Sequence, residues 1–154
     1  MAQFTDVDLK PALRQALEAA EYRTMTPVQA ASLPAILAGQ DVIAQAKPGS
    51  GKTAAFALGL LSRLDAGAVS LQGLVLCPTR ELAEQVSREV RRLASCIPNV
   101  KVLTLCGGVP VRTHVASLAH EPHIVIGTPG RIVDLITRGA LGLSQVGVLV
   151  LDEA

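Results

Sequence analysis

Gly49, Gly51, Lys52 and Thr53 are the residues whose types and spacing most directly do chemistry. Two glycines one residue apart let a backbone fold back tightly enough for successive N–H groups to converge on an anion. Lys52 adds a mobile point charge for the outer phosphates, and the Thr53 hydroxyl is placed to ligate a Mg²⁺ that bridges them. The whole stretch reads Ala46-Lys47-Pro48-Gly49-Ser50-Gly51-Lys52-Thr53, with Ala46 where the general phosphate-loop pattern begins with Gly. A Gly/Ser turn capped by Lys-Thr would share these letters. The flanks favour nucleotide binding: Asp41-Val42-Ile43-Ala44-Gln45 before it reads as a short strand, and Ala54 to Leu64 after it as a helix.

A second constellation is Asp152-Glu153, at the end of the apolar run Val148-Leu149-Val150-Leu151. Alone, such a pair suits a turn or a helix cap. Together with a phosphate loop it suits a nucleotide triphosphatase, with Asp152 holding Mg²⁺ directly or through water and Glu153 polarising the attacking water.

The elements that must position these groups alternate. Apolar runs at Leu74–Cys77, Val102–Cys106, Ile124–Gly127 and Val148–Leu151 read as strands, and their lack of polar alternation implies burial on both faces. Helical periodicity lies between them, through Leu82, Val86, Val90 and Leu93, more weakly from Val109 to Ala119, and through Ile132, Val133, Leu135 and Ile136 before Arg138-Gly139. An amphipathic helix is expected from Asp8 to Ala20. A second starts with Thr26-Pro27-Val28-Gln29 as a capping box, is ended or kinked by Pro34 near Leu37, and is closed by Gly39. The fold class is therefore α/β, a parallel sheet flanked by helices.

At 154 residues, 49% apolar and net charge +1, the chain is one domain's worth with an aliphatic core, and any nucleic-acid contact is expected to be local. No apolar run reaches the roughly 18 residues that span a bilayer, and the N-terminus lacks the build of a signal peptide, so a cytoplasmic protein is expected. Cys77, Cys96 and Cys106 read as free thiols, His120-Glu121-Pro122-His123 as a solvated turn rather than a metal site, and Arg88, Arg91 and Arg92 as a solvated basic face.

Several stretches together resemble the first RecA-like domain of the DEAD-box RNA helicases, from Phe4 to Ala154. Phe4, Tyr22 and Thr26-Pro27-Val28-Gln29 are similar to that family's Q motif, and Ala46 to Thr53 to its phosphate loop, where an initial Ala is usual. Pro78-Thr79-Arg80-Glu81-Leu82-Ala83, Gly107-Gly108 and Thr128-Pro129-Gly130-Arg131 resemble its RNA-contacting motifs, and Asp152-Glu153-Ala154 the start of its name-giving tetrapeptide. The resemblance implies a RecA-like P-loop domain with helices on both faces of the sheet, ATP and Mg²⁺ as cofactors, and RNA as partner. It gives Gln29 and Phe4 the adenine, with Tyr22 beside them, and Ala46, Gly49, Ser50, Gly51, Lys52 and Thr53 the phosphates. Arg80, Gly107, Gly108, Thr128 and Arg131, with Pro78, Thr79, Pro129 and Gly130 around them, would meet the RNA backbone. Parts of the chain are most similar to a bacterial member that acts on ribosomal RNA in ribosome assembly, which implies ribosomal precursor particles as a partner.

Departures shape two expectations. Pro48 stands where the family usually has Thr or Ser and removes a backbone donor, so weakened but surviving phosphate binding is expected. Glu21 stands where the family often has Gly. By the resemblance, residues 1–154 are the N-terminal RecA-like domain without its Ser-Ala-Thr motif, the strand leading to that motif, or the second RecA-like domain. Two apolar strand edges are then expected to be exposed, and the piece is expected not to unwind RNA alone. A non-catalytic, nucleotide-gated RNA-binding module is the alternative. A GTPase is disfavoured because no Asn-Lys-x-Asp is present, and a DNA-translocating relative gives no reason for the Pro-Thr-Arg-Glu-Leu-Ala run.

Overall fold

The computed structural model describes all residues, Met1–Ala154, in two compact units: Met1–Arg63 with Glu89–Pro98, and Leu64–Arg88 with Asn99–Ala154. The first unit holds a short 3₁₀ turn at Phe4–Asp6 and helices α1 (Pro11–Ala19), α2 (Pro27–Leu37) and α3 (Lys52–Arg63). α1 starts on Pro11 and buries Leu13, Ala16 and Leu17. α2 starts on the expected capping box: Gln29 N–H donates to Thr26 Oγ1 at 3.4 Å, and Thr26 N–H to Gln29 Oε1 at 2.9 Å.

α2 ends in a left-handed residue, Gly39 at φ +80°, whose N–H reaches Ile36 O while Gln40 N–H reaches Ala35 O. α1 ends on the same pair of bonds, Glu21 N–H to Glu18 O and Tyr22 N–H to Leu17 O, but its left-handed residue is Glu21 at φ +61°. A Cβ in that conformation is strained, which accounts for the family's Gly there. Glu21→Gly is expected to stabilise the protein by about 0.5–1 kcal/mol, read as a higher urea midpoint at unchanged slope. An unchanged or lower midpoint would show that Glu21 is held left-handed without cost.

The second unit is built on a parallel sheet of β1 (Gly73–Leu76), β2 (Val102–Leu105), β3 (Ile124–Gly127) and β4 (Val148–Leu151) in the order β2-β3-β1-β4. The crossovers are α4 (Arg80–Leu93, whose last turn belongs to the first unit), α5 (Val111–Leu118) and α6 (Pro129–Thr137). On one face Leu74, Leu105 and Val125 pack with Ile132 and Leu135 of α6 and with Leu71 and Leu141. On the other, Thr104 Oγ1 donates to Ser87 Oγ of α4 at 2.7 Å. Helices thus cover both faces. Each fully buried leucine of this core contributes about 1.5–3 kcal/mol.

Three sequence expectations are corrected. Asp41–Gln45 is not a strand: it pairs with no neighbour, and Ile43 is fully exposed. An apolar run becomes a strand only when a ladder takes its N–H and C=O groups. β4 is not buried on both faces: it is an edge strand paired only with β1, and the face bearing Leu149 and Leu151, each 58% exposed, is open. Finally, His123 is buried rather than solvated. Its Nδ1 accepts from Lys101 N–H at 3.0 Å, which leaves the proton on Nε2 facing Ala66 O at 3.2 Å. No His, Cys, Asp and Glu cluster could hold a metal, and no helix is long and apolar enough to cross a membrane.

Candidate nucleotide and RNA site

The phosphate loop opens with a turn in which Ser50 N–H donates to Lys47 O at 3.2 Å, with Pro48 second and Gly49 third at φ +77°. That is the signature of a type II turn, which favours proline second and requires a positive φ third. Pro48 therefore supplies the turn's geometry.

Gly51 is also left-handed, at φ +89°, and leads straight into α3 at Lys52. Thr53 and Ala54 N–H, in the first turn of α3, meet no carbonyl of the chain, and Ser50 Oγ is buried without a partner. A donor set of two open amides and a hydroxyl at a helix N-terminus fits a phosphate group. Lys52 and Thr53 are half-buried and Ala46 likewise.

Gln29 ties the two motifs of this unit together. It is 4% exposed, and its Nε2 donates to Gly51 O at 3.0 Å while Oε1 holds the Thr26 N–H. A primary amide has two donors and two lone pairs, so one of each remains for an adenine edge. Phe4 is 5% exposed and stacked on Tyr22, with centroids 6.1 Å apart. Tyr22 OH donates to Glu89 at 2.6 Å, and Arg92 lies over its ring at 5.3 Å while also donating to Ala20 O. Burial, then the bond to Glu89, pushes the Tyr22 hydroxyl's pKa up. Arg88, Arg91 and Arg92 are all exposed, as expected of a solvated face, and Arg92 is in addition engaged with Tyr22.

In the second unit the other expected residues gather at one sheet edge. β1, β2, β3 and β4 end in register at Leu76, Leu105, Gly127 and Leu151. Pro78-Thr79-Arg80, Gly107-Gly108, Thr128–Arg131 and Asp152-Glu153 follow directly, at the carboxyl edge where α/β sheets bind ligands. Asp152 N–H continues the ladder to Leu76 O at 3.0 Å, and Glu153 is left-handed at φ +56°. Cys77 lies near this carboxylate; burial, then the charge of Asp152, pushes its thiol up to about 12, so it stays protonated and inert.

The two helix starts differ in a telling way. Thr79 Oγ1 accepts from Leu82 N–H at 3.2 Å and so caps α4 while keeping its own O–H proton, whereas Thr128 at the start of α6 makes no such cap bond. Arg80 bonds Glu84 at 3.1 Å and lies against Gly108, which is left-handed at φ +88°. Arg131 Nη1 donates to Val109 O and to His114 Nδ1, both at 2.8 Å. Sequence reasoning missed His114, although Val111, His114 and Leu118 mark its helical stripe.

A DEAD/DEAH box helicase family model matches residues 26–154. The chain belongs to the DEAD/DEAH box helicase family. It is 58% identical over 95% of its length to the ATP-dependent RNA helicase DbpA of Escherichia coli, covering 32% of that protein. It is 43% identical over its whole length to the DEAD-box ATP-dependent RNA helicase CshA of Bacillus cereus, covering 29%. A DEAD box protein from Methanococcus jannaschii superposes with a TM-score of 0.91 at 34% identity, over 98% of this chain and 41% of that one. A Saccharomyces cerevisiae Dbp5 variant bound to RNA and ADP BeF3 gives 0.83 at 26% identity, over 99% and 38%. These DEAD-box neighbours make the fold RecA-like. The chain spans about a third of the length of the curated relatives it matches.

Proposed function

We propose that this chain is the ATP-binding, RNA-contacting N-terminal RecA-like part of an ATP-dependent RNA helicase that locally separates RNA duplexes. The observation that carries the reading is the bond from Gln29 Nε2 to Gly51 O, which fixes a base-reading amide to the phosphate loop of a DEAD-family chain. Bound ATP with Mg²⁺ supplies the anhydride whose hydrolysis drives the cycle. In the first unit Gly49, Ser50, Gly51 and Lys52 would hold the phosphates and Thr53 would be a metal ligand; in the second, Asp152 is read as a metal ligand and Glu153 as the residue that would polarise water. Arg80, Gly107, Gly108, Thr128 and Arg131 contact the RNA backbone independently of sequence. Likeness to DbpA favours ribosomal RNA and precursor particles in the cytoplasm as the setting, with a second RecA-like domain completing the machine.

The test is a calorimetric titration with Mg-ADP and Mg-GDP, followed by hydrolysis assays with and without RNA. ADP binding that exceeds GDP binding by about tenfold or more, as expected for a site that hydrogen-bonds the base edge, supports the reading. Residues 1–154 alone are expected to show no RNA-stimulated turnover. Equal binding of both nucleotides would remove the role of Gln29, and brisk turnover by the isolated chain would remove the need for a second domain.

A further inference from the structure

Arg131, in the second unit, is engaged on one side only. Both protons of Nη1 are used, one on Val109 O and one on His114 Nδ1, each at 2.8 Å. The other three N–H donors, on Nη2 and Nε, have no acceptor in the chain, and the side chain is half-buried at the start of α6. A guanidinium held by one corner presents its remaining fork in a fixed direction, the geometry that suits a phosphate. Val109 follows Gly107-Gly108 directly, so this corner also ties together two segments proposed to meet RNA.

We infer that His114 is a positioning residue for RNA binding: its unprotonated Nδ1 holds the Arg131 guanidinium in the orientation that meets an RNA phosphate. The inference rests on the reading of Arg131 as an RNA contact. Arginine has donors only, so the ring nitrogen facing it must be the acceptor and the ring must be neutral. His114 is 6% exposed, and burial, then the charge of Arg131, holds its pKa below the usual histidine value. No carboxylate opposes this. On α6, Asp134 is bonded to Arg138 at 2.9 Å; on α5, Arg112 is exposed; and Cys106, at the end of β2, is pushed up by burial. On acidification the ring takes a proton, becomes a second donor and a second positive charge, and releases the guanidinium.

The experiment is a fluorescence-anisotropy titration of a labelled oligouridylate with the whole chain and its H114L, H114Q and R131A variants. Glutamine keeps an acceptor oxygen and does not titrate. H114L is expected to weaken binding about five- to tenfold, R131A by at least as much, and H114Q to stay within about twofold of the parent at neutral pH. From about pH 7.5 to about pH 5.5 the parent is expected to lose affinity relative to H114Q, since only its acceptor titrates. If R131A weakens binding but H114L and H114Q both match the parent at every pH, the positioning role is overturned while Arg131 stands as an RNA contact. If R131A has no effect, both readings fall. Should H114L fail to fold by circular dichroism, the H114Q pH comparison decides alone: parallel profiles overturn the inference, and divergence on the acid side supports it.

Discussion

Gly51→Ala is expected to lower Mg-ADP affinity by about a hundredfold, equivalent to about 3 kcal/mol, and to cost about 1–3 kcal/mol of stability. Two effects add at this residue. Its φ of +89° is left-handed, where a side chain is strained, and a Cβ would run into the Gln29 Nε2, with Gln29 Cδ at 3.1 Å and Thr26 Oγ1 at 3.2 Å. The clash can be relieved by turning the loop, which scatters the N–H groups that converge on phosphate. Otherwise Gln29 must move, which breaks its 3.0 Å bond to Gly51 O and its 2.9 Å bond from Thr26 N–H. Either route damages the site. Gly49→Ala is the internal control: at φ +77° it carries the backbone strain, but nothing lies within 4 Å of its Cβ. Calorimetry should therefore show Gly49→Ala losing about tenfold less affinity than Gly51→Ala, as one strained residue without a clash should. Equal losses would mean that the Gln29 contact adds nothing.

Features written in neighbouring residues were legible in the sequence; features requiring knowledge of what lies opposite were not. Ile124–Gly127 and Val148–Leu151 read as strands to the residue, and the Thr26–Gln29 box and Gly39 stop appeared as expected. All of these are local signals of period, cap or left-handed glycine. Asp41–Gln45 was misread because pairing is a property of two segments. His123 was misjudged because its partner, Ala66, lies 57 residues away in sequence, and the bonds from Tyr22 to Glu89 and from Arg92 to Ala20, which span 67 and 72, were out of reach for the same reason. For the candidate site, the residues themselves were legible and their couplings were not: Gln29 to Gly51 spans 22 residues, and Arg131 to His114 spans 17.

The Gln29 coupling yields the second large effect, because two substitutions separate the amide's duties. Gln29→Ala removes the acceptor for Thr26 N–H and the donor to Gly51 O from a nearly buried position, which should cost about 2 kcal/mol of stability. It should also remove any preference for ADP over GDP. Gln29→Glu keeps an oxygen for the capping box but buries a carboxylate against Gly51 O, so at neutral pH its stability loss should be at least as large as that of Gln29→Ala and should shrink as the carboxyl is protonated. Its carboxylate, however, has no proton for Gly51 O and sets a negative charge beside the bound nucleotide's own. At neutral pH its ADP affinity should therefore fall further than that of Gln29→Ala, by about a hundredfold or more, since a buried unpaired charge is the costlier fault. Protonation of that carboxyl restores an O–H donor where the amide had N–H. ADP affinity of Gln29→Glu should then recover as pH falls toward about 5, where a carboxyl in an apolar, anion-rich setting is protonated, while that of Gln29→Ala stays flat. Matched flat profiles for the two variants would show that the contact with Gly51 is a by-product of the helix cap and that phosphate binding is indifferent to it.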